Sequence, residues 1–378
     1  MQTRFITTDE ELLALKEDWD RLATCRPETD MPFYSWDWFY CSWIHFGKPE
    51  RQELFIVAVY EADRLVGILP LVRGQRKSSR IAYRILSFCN TGMMPRNTMY
   101  TDSGQEQETV FRAAWNHLFD HRPLWDMLEL ANVPDTSPFH RFVLEGKHRP
   151  GYSLIQHRGL TSPLVSLEGL TYDGYFSKYG NKDARRRFKR VTEKYEAENK
   201  CWGMKIYENE WDIQTGIDLA LEVRRESWKG EFEDNESVSF YRELFAHFAS
   251  KKEVIIPILM LEDIPIAAQF VTGREGRYFL HTNDYHSGFR ETSPGLCLLH
   301  LMLIEAFKRQ WRVFDFTGSD YKYKEDSCTG HQYHSMFQIF HSGWKSRFIY
   351  GAKTLLLPLI RRIMRKPADG DFIAKKRR

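Results

Sequence analysis

The stretch RETSPGLCLLHLMLIEAFKRQWRVFDFTGSDYKYK, residues 290–324, decides the fold. It reads as a glycine-bearing turn, a long apolar helix, a short strand and a Tyr/Lys-rich loop, preceded by the strand-like RYFLHTNDY of residues 277–285. Strand, turn, helix and strand in that order make an α/β unit. Ser293 suits an N-cap, Pro294 suits the first helical position, where a missing N–H costs nothing, and Gly295 lets another group approach the backbone. Leu296, Leu299, Leu303, Ala306 and Phe307 recur at helical spacing. Leu298, Leu301, Met302 and Ile304 widen the apolar surface until the helix is expected to be buried on most sides, with the core around it.

Upstream, VIIPILMLEDIPIAAQFVTG reads as a β-hairpin with Glu262 and Asp263 at its tip, and helix signals cover 172–200 and 213–229. The first half of the chain has the same plan. A helical pattern over 8–24 opens at Thr8 or Asp9, and the aromatic run PFYSWDWFYCSWIHFG follows it as a core helix or a substrate wall. A hairpin, LFIVAVYEADRLVGILPLVRG, turns at Ala62 and Asp63, and strand-like YRILSF and WDMLELAN bracket a helical TVFRAAWNHLFDH. Pro150, Gly151 and the loop near Pro163 mark a boundary. Duplication of one α/β unit is the economical explanation, with domains at 1–165 and 166–352 and a basic amphipathic tail at 353–378.

A chain of 378 residues fits two domains, and 42% hydrophobic with 28% charged residues is the composition of an ordinary globular protein. The net charge of +3 implies no nucleic-acid partner by itself, so such a claim rests on local clusters. Six scattered cysteines and a start without an apolar segment point to reduced thiols and a cytoplasmic location. No run reaches the roughly 18 apolar residues of a membrane span. In the tail, Leu355, Leu356, Leu359, Ile360 and Ile363 lie beside Arg361, Arg362, Arg365 and Lys366, a pattern suited to peripheral contact with an anionic membrane face.

Several side chains have the chemistry of acid–base or anion-binding groups. Asp315, between Phe314 and Phe316, is the first choice for a base or for a group that orients one; it is equally suited to holding the loop after it. Tyr323 and Lys324 bring a phenol able to give up a proton and an ammonium able to contact an acidic group. His281 and Asp284 are weaker base candidates. Arg290, Ser293, Gly295 and Leu296 form a turn suited to an anion at a helix N-terminus. In NKDARRRFKR, Arg186, Lys189 and Arg190 share a helical face suited to phosphates. Cys328, His331 and His334 lack an evident fourth ligand, and no metal is expected.

Arg290-x-x-Ser293-x-Gly295 resembles the acyl-CoA turn of the GCN5-related N-acetyltransferases, with Ser293 where that turn has its first glycine. PFYSWDW, VAVYEADRLVGILPLV, NKDARRRFKR, SPGLCL and the pair FDF plus YK together resemble the CelD-like acetyltransferases of cellulose and exopolysaccharide biosynthesis, across roughly residues 1–350. That family is similar to the FemABX transferases, which carry tandem acetyltransferase-like domains and use aminoacyl-tRNA. The resemblance implies an α/β fold of tandem GCN5-related acetyltransferase-like domains, each a mixed twisted sheet flanked by helices. It implies acetyl-CoA or another acyl-CoA as donor, and a small-molecule or carbohydrate acceptor. Trp36, Arg186, Arg190 and Lys324 are the expected acceptor contacts; Arg290, Ser293, Gly295 and Leu296 are the expected donor contacts. Two alternatives are an aminoacyl-tRNA-dependent transferase, in which tRNA is the partner, and a non-catalytic accessory subunit of a membrane polysaccharide synthase.

Overall fold

The computed structural model describes residues 1–27, 31–78, 81–89, 92–146, 151–180, 182–230, 232, 235–318 and 321–356. The basic tail from residue 357 onward lies outside them. Among the described residues, no helix is long and apolar enough to cross a membrane. In chain order the elements are β1 (Gln2–Ile6), α1 (Asp9–Ala14), α2 (Lys16–Thr24), α3 (Trp36–Ser42), β2 (Glu53–Leu54), β3 (Ile56–Glu61), β4 (Arg64–Leu69), β5 (Leu71–Ser78), β6 (Ile81–Phe88), β7 (Tyr100–Thr101), α4 (Gln107–Asp120), β8 (Met127–Pro134), α5 (Pro138–Glu145), β9 (Tyr152–Ser166), α6 (Tyr172–Lys178), α7 (Lys182–Ala197), β10 (Trp202–Tyr207), α8 (Ile213–Arg225), α9 (Asn235–Ser250), β11 (Val254–Leu261), β12 (Ile264–Arg274), β13 (Arg277–Tyr285), α10 (Pro294–Lys308), β14 (Val313–Asp315), α11 (Lys322–Glu325), β15 (Gly330–His341) and α12 (Trp344–Gly351).

They form two compact units. One comprises 1–29, 46–160 and 333–378; the other comprises 30–45 and 161–332. In the first unit β1, β3, β4 and β7 form one sheet, and β15, β8, β6, β5 and β2 follow one another in a second. Val57, Val59, Leu69, Phe111, Trp115, Trp125 and Phe139 fill its core. In the second unit the strand order is β10, β11, β12, β13, β14, β9. All neighbours there are antiparallel except β13 and β14, which α10 joins as a parallel pair. Both units are mixed α/β, with sheets flanked by helices.

The two hairpins share one register pattern. In β3 and β4, Glu61 faces Arg64, Tyr60 faces Leu65 and Val59 faces Gly67, so Val66 is an extra residue. In β11 and β12, Leu261 faces Ile264, Met260 faces Pro265 and Leu259 faces Ala267, so Ile266 is extra at the same step from the tip. A bulge at one fixed position re-aims the strand beyond it in the same way in both units. The turns expected at Ala62–Asp63 and Glu262–Asp263 are present, with Ala62, Asp63 and Glu262 in the left-handed region.

Three local expectations are corrected. The helix signal over 8–24 is two helices meeting at Leu15, the first opened by Thr8 in a capping box with Glu11. The signal over 172–200 is also two helices, α6 and α7, separated around Gly180. Pro163 lies inside β9, where its carbonyl accepts from the Phe316 N–H at 2.9 Å, so that segment is a strand.

Helix α10 is buried as its composition requires, with Leu298, Leu299, Met302, Leu303 and Ala306 at 3% exposure or less. His300 on the same helix is buried among Tyr172, Phe176 and Phe188, its Nε2 3.1 Å from the Tyr172 hydroxyl. Burial pushes its pKa down from 6.5 to about 4. The unfolded chain therefore binds the proton more readily, and stability from the neutral ring is present above pH 6.5 and lost as pH falls toward 4. Urea midpoints at pH 7 and pH 4.5 are expected to drop less in His300→Gln than in the native chain; equal drops would assign the acid sensitivity elsewhere.

Candidate active site

The parallel pair β13 and β14 is short. Arg277, Tyr278 and Phe279 face Val313, Phe314 and Asp315, and there the ladder ends. Strand β13 continues to Tyr285 on β12, while the chain after Asp315 leans the other way, with the Phe316 N–H bonded to Pro163 of β9. A wedge opens between them. Along it, the edge of residues 281–285 turned toward β14 has no ladder partner among the described residues.

Thr317 holds the wedge's closed end. Its hydroxyl donates to the Leu280 carbonyl and its N–H donates to Asp315 Oδ1 at 2.7 Å. Its φ is +50°, costly for a β-branched residue. Lys324 Nζ donates to the carbonyls of Phe316, Thr317 and Gly318 at 2.7, 3.2 and 3.2 Å, so three ammonium protons meet three acceptors. Burial pushes the Lys324 pKa down to about 8, against the raising effect of Asp315.

Residues 283 and 284 point to opposite faces of β13 by strand alternation. Asp284 turns toward α8, where it pairs with Arg224 at 3.2 Å, and toward Lys229 at 2.6 Å. Asn283 turns toward α10, its Nδ2 3.4 Å from the Gly295 carbonyl, and its side chain lies near enough to the Tyr323 phenol to favour the charged form slightly. Gln269 on β12 donates to its Oδ1 at 3.3 Å. The Tyr323 phenol has its pKa raised by burial, so it stays protonated at neutral pH.

The start of α10 differs from its sequence reading. Ser293 is at the N-cap position, but its backbone is left-handed (φ 52°, ψ 53°) and its side chain caps no helix N–H. Its Oγ instead accepts from Arg187 Nη1 at 2.6 Å. The Leu296 and Cys297 amides both donate to the Ser293 carbonyl, at 3.0 and 3.1 Å, so the expected Leu296 donor contact through its N–H is taken. Pro294 has no N–H. The Gly295 amide remains as the first-turn donor, with Arg187 alongside.

Of the other expected site residues, Asp315 is fully buried with one oxygen taken by Thr317, an arrangement that holds the loop and gives an acceptor no exposed oxygen. Lys324, expected to contact an acidic substrate, is buried with its three donors on loop carbonyls. His281 lies at the bulge of β13, with Nε2 2.7 Å from Thr272 Oγ1 and its ring 5.3 Å from Trp38. Burial pushes its pKa down to about 3, so it is neutral at pH 7 and a weak base. Trp36 is buried and stacked on Tyr40 at 4.4 Å, as core and not as an open wall. Arg290 is exposed in a short 3₁₀ turn near Ser293. Arg186 and Arg190 are exposed on α7, Arg186 beside Asp183 at 3.6 Å. The structure thus puts Gly295 against Asn283 and Ser293 against Arg187, with Tyr323 near Asn283, and leaves Trp36, Arg186 and Arg190 out of that group. His334 is separate from Cys328 and His331: its Nδ1 is 2.9 Å from the Leu160 carbonyl.

Asn283 and Arg187 were not singled out from the sequence. Ala184, Phe188, Val191 and Tyr195 form the inward stripe of α7, and that stripe puts Arg187 at its border and Arg186 opposite. Asn283 had no distinct signal, being one of four consecutive polar residues, His281 to Asp284, near the end of β13.

Residues 182–325 match the family model of an acetyltransferase (GNAT) domain. The match runs from the start of α7 to the end of α11 and contains the whole wedge, so this unit is of acyltransferase type. Among solved structures, the chain is similar to a crystal structure of FemX, with a TM-score of 0.59 and 10% identity, covering 89% of this chain and 97% of that one. It is also similar to a conserved protein of unknown function from Bacteroides thetaiotaomicron, with a TM-score of 0.53 and 10% identity over 89% of this chain and 100% of the other. At that identity the likeness is one of fold. Comparison with curated proteins finds no match.

Replacing Lys324 with methionine leaves three loop carbonyls without their ammonium. Lys324→Met is expected to lower the stability of the chain by about 3 kcal/mol in urea unfolding at pH 7. A loss under about 1 kcal/mol would mean that water replaces the ammonium at little cost.

Proposed function

We propose that the protein is an acyl-CoA-dependent N- or O-acyltransferase acting on a carbohydrate or other small acceptor in polysaccharide or cell-envelope biosynthesis. The observation that carries this reading is the wedge itself, an unladdered β13 edge whose Asn283 reaches the first turn of α10 beside a protonated Tyr323, in a segment that matches an acetyltransferase domain. The acceptor's nitrogen or oxygen attacks the thioester carbonyl, the unladdered edge of β13 offers amides to the oxyanion, collapse breaks the C–S bond and expels a thiolate that takes the Tyr323 proton, and the acceptor's proton, released through water, restores the phenol. Arg187 and Arg290 would hold the donor's phosphates, because the first turn of α10 has few amides to spare. The polysaccharide or envelope role rests on the CelD-like motif set.

A thermal-shift series from acetyl-CoA to long-chain acyl-CoA species tests the donor. At least one species is expected to stabilise the protein, Arg187→Ala to lose most of that shift, and Tyr323→Phe to keep it while turnover falls about 100-fold. No shift with any acyl-CoA, together with an Arg187→Ala variant indistinguishable from the native chain, defeats the reading.

The exposed arginines of α7 favour a second reading, an aminoacyl-tRNA-dependent transferase of the FemABX kind. Binding of aminoacyl-tRNA would then weaken steeply with salt and be lost in Arg186→Glu/Arg190→Glu. Salt-insensitive binding, or none, counts against it.

A further inference from the structure

Helices α3 and α9 pack face to face in the second unit and are joined by a polar ladder unrelated to the wedge. Asp37 pairs with Lys251, Cys41 lies against His247, and His45 Nε2 is 2.6 Å from Glu243 Oε2. Each rung advances four residues on one helix as it retreats about four on the other, the spacing of one face on two antiparallel helices. Cys41 and His45 are an i, i+4 pair at the end of α3 and the π-helical turn Trp43–Gly47 that continues it; Glu243 and His247 are an i, i+4 pair on α9. Cys41 Sγ, a Glu243 oxygen and a His247 ring nitrogen all lie within 4.8 Å of one another.

From these positions we propose that Cys41, Glu243 and His247 bind a zinc-type divalent cation, with His45 fixing the Glu243 carboxylate. The ligand chemistry is that of a borderline-soft metal: one thiolate, one imidazole and one carboxylate. Tetrahedral zinc holds such atoms roughly 3–4 Å apart, so small side-chain rotations suffice. Cys41 is fully buried and His247 is exposed, which puts the thiolate inward and leaves the fourth position to solvent. Binding releases the Cys41 thiol proton to water and uses the neutral His247 lone pair. His45 to Glu243 is a hydrogen bond of the kind that orients a metal-bound carboxylate. The metal would staple α3 to α9, and α3 carries Trp38, whose ring packs on Phe240, Phe248 and His281. Glu325, Cys328 and His331 form another such group, but one short segment supplies all three and the thiol is partly exposed.

The test uses the full-length protein. Elemental analysis after dialysis is expected to give one zinc per chain, and Co(II) titration a thiolate-to-metal charge-transfer band. Cys41→Ser abolishes the band. His247→Ala, a change at an exposed position that leaves the circular dichroism unaltered, weakens Co(II) binding by about 100-fold, and His45→Gln weakens it by about 10-fold. Cys328→Ser leaves the band as it was. Absence of stoichiometric metal and of the band overturns the proposal and leaves a hydrogen-bonded ladder only. Loss of the band in Cys328→Ser with retention in Cys41→Ser overturns it in favour of the other group.

Discussion

The ammonium of Lys324 is bonded to three successive carbonyls, those of Phe316, Thr317 and Gly318. Three carbonyls turned toward one point cannot also continue a β-ladder, so β14 ends at Asp315 and the chain departs from β13. Thr317 pays for the departure with a left-handed backbone, offset by the Asp315 oxygen on its N–H and by its own hydroxyl on Leu280. Strain held in this way by several bonds persists where the surrounding structure over-determines it. The wedge follows from that arrangement, and the β13 edge, the start of α10 and Tyr323 are all placed relative to it.

Asp315 and Lys324 are both buried and both bonded to the loop that follows β14, so their visible role is to shape the wedge. The group that spans the wedge is Asn283, and it does so because strand alternation turns it toward α10 while Asp284 turns toward Arg224 and Lys229. At neutral pH His281, held on Thr272 and Trp38, is neutral, and Tyr323 is protonated. Such a site favours an acceptor that arrives as a free nucleophile, or one whose proton leaves late.

The fold was legible in the sequence where periodicity and turn chemistry agree. Both hairpins, β13 over Arg277–Tyr285 and the buried α10 lie where their residues indicated, and the shared bulge beyond each hairpin tip supports the duplication read from their similar layout. The site was less legible because composition does not report direction. Lys324 and Asp315 have the chemistry of a substrate contact and a base, yet both turn inward, a choice made by neighbours far apart in the chain. Arg186 and Arg190 stood out by spacing among themselves, whereas the apolar stripe of α7 selects Arg187. Ser293 had the right position for a cap, but its left-handed backbone gives the hydroxyl to Arg187.

The central claim is that the wedge between β13 and β14 receives the donor's reactive end. The most direct measurement is a crystal structure with a non-transferable thioether analogue of acyl-CoA. The account predicts the acyl carbonyl between residues 281–285 and Tyr323, with phosphates beside Arg187 and the Gly295 amide. An analogue bound in the first unit, or away from the start of α10 with the wedge empty, would contradict it.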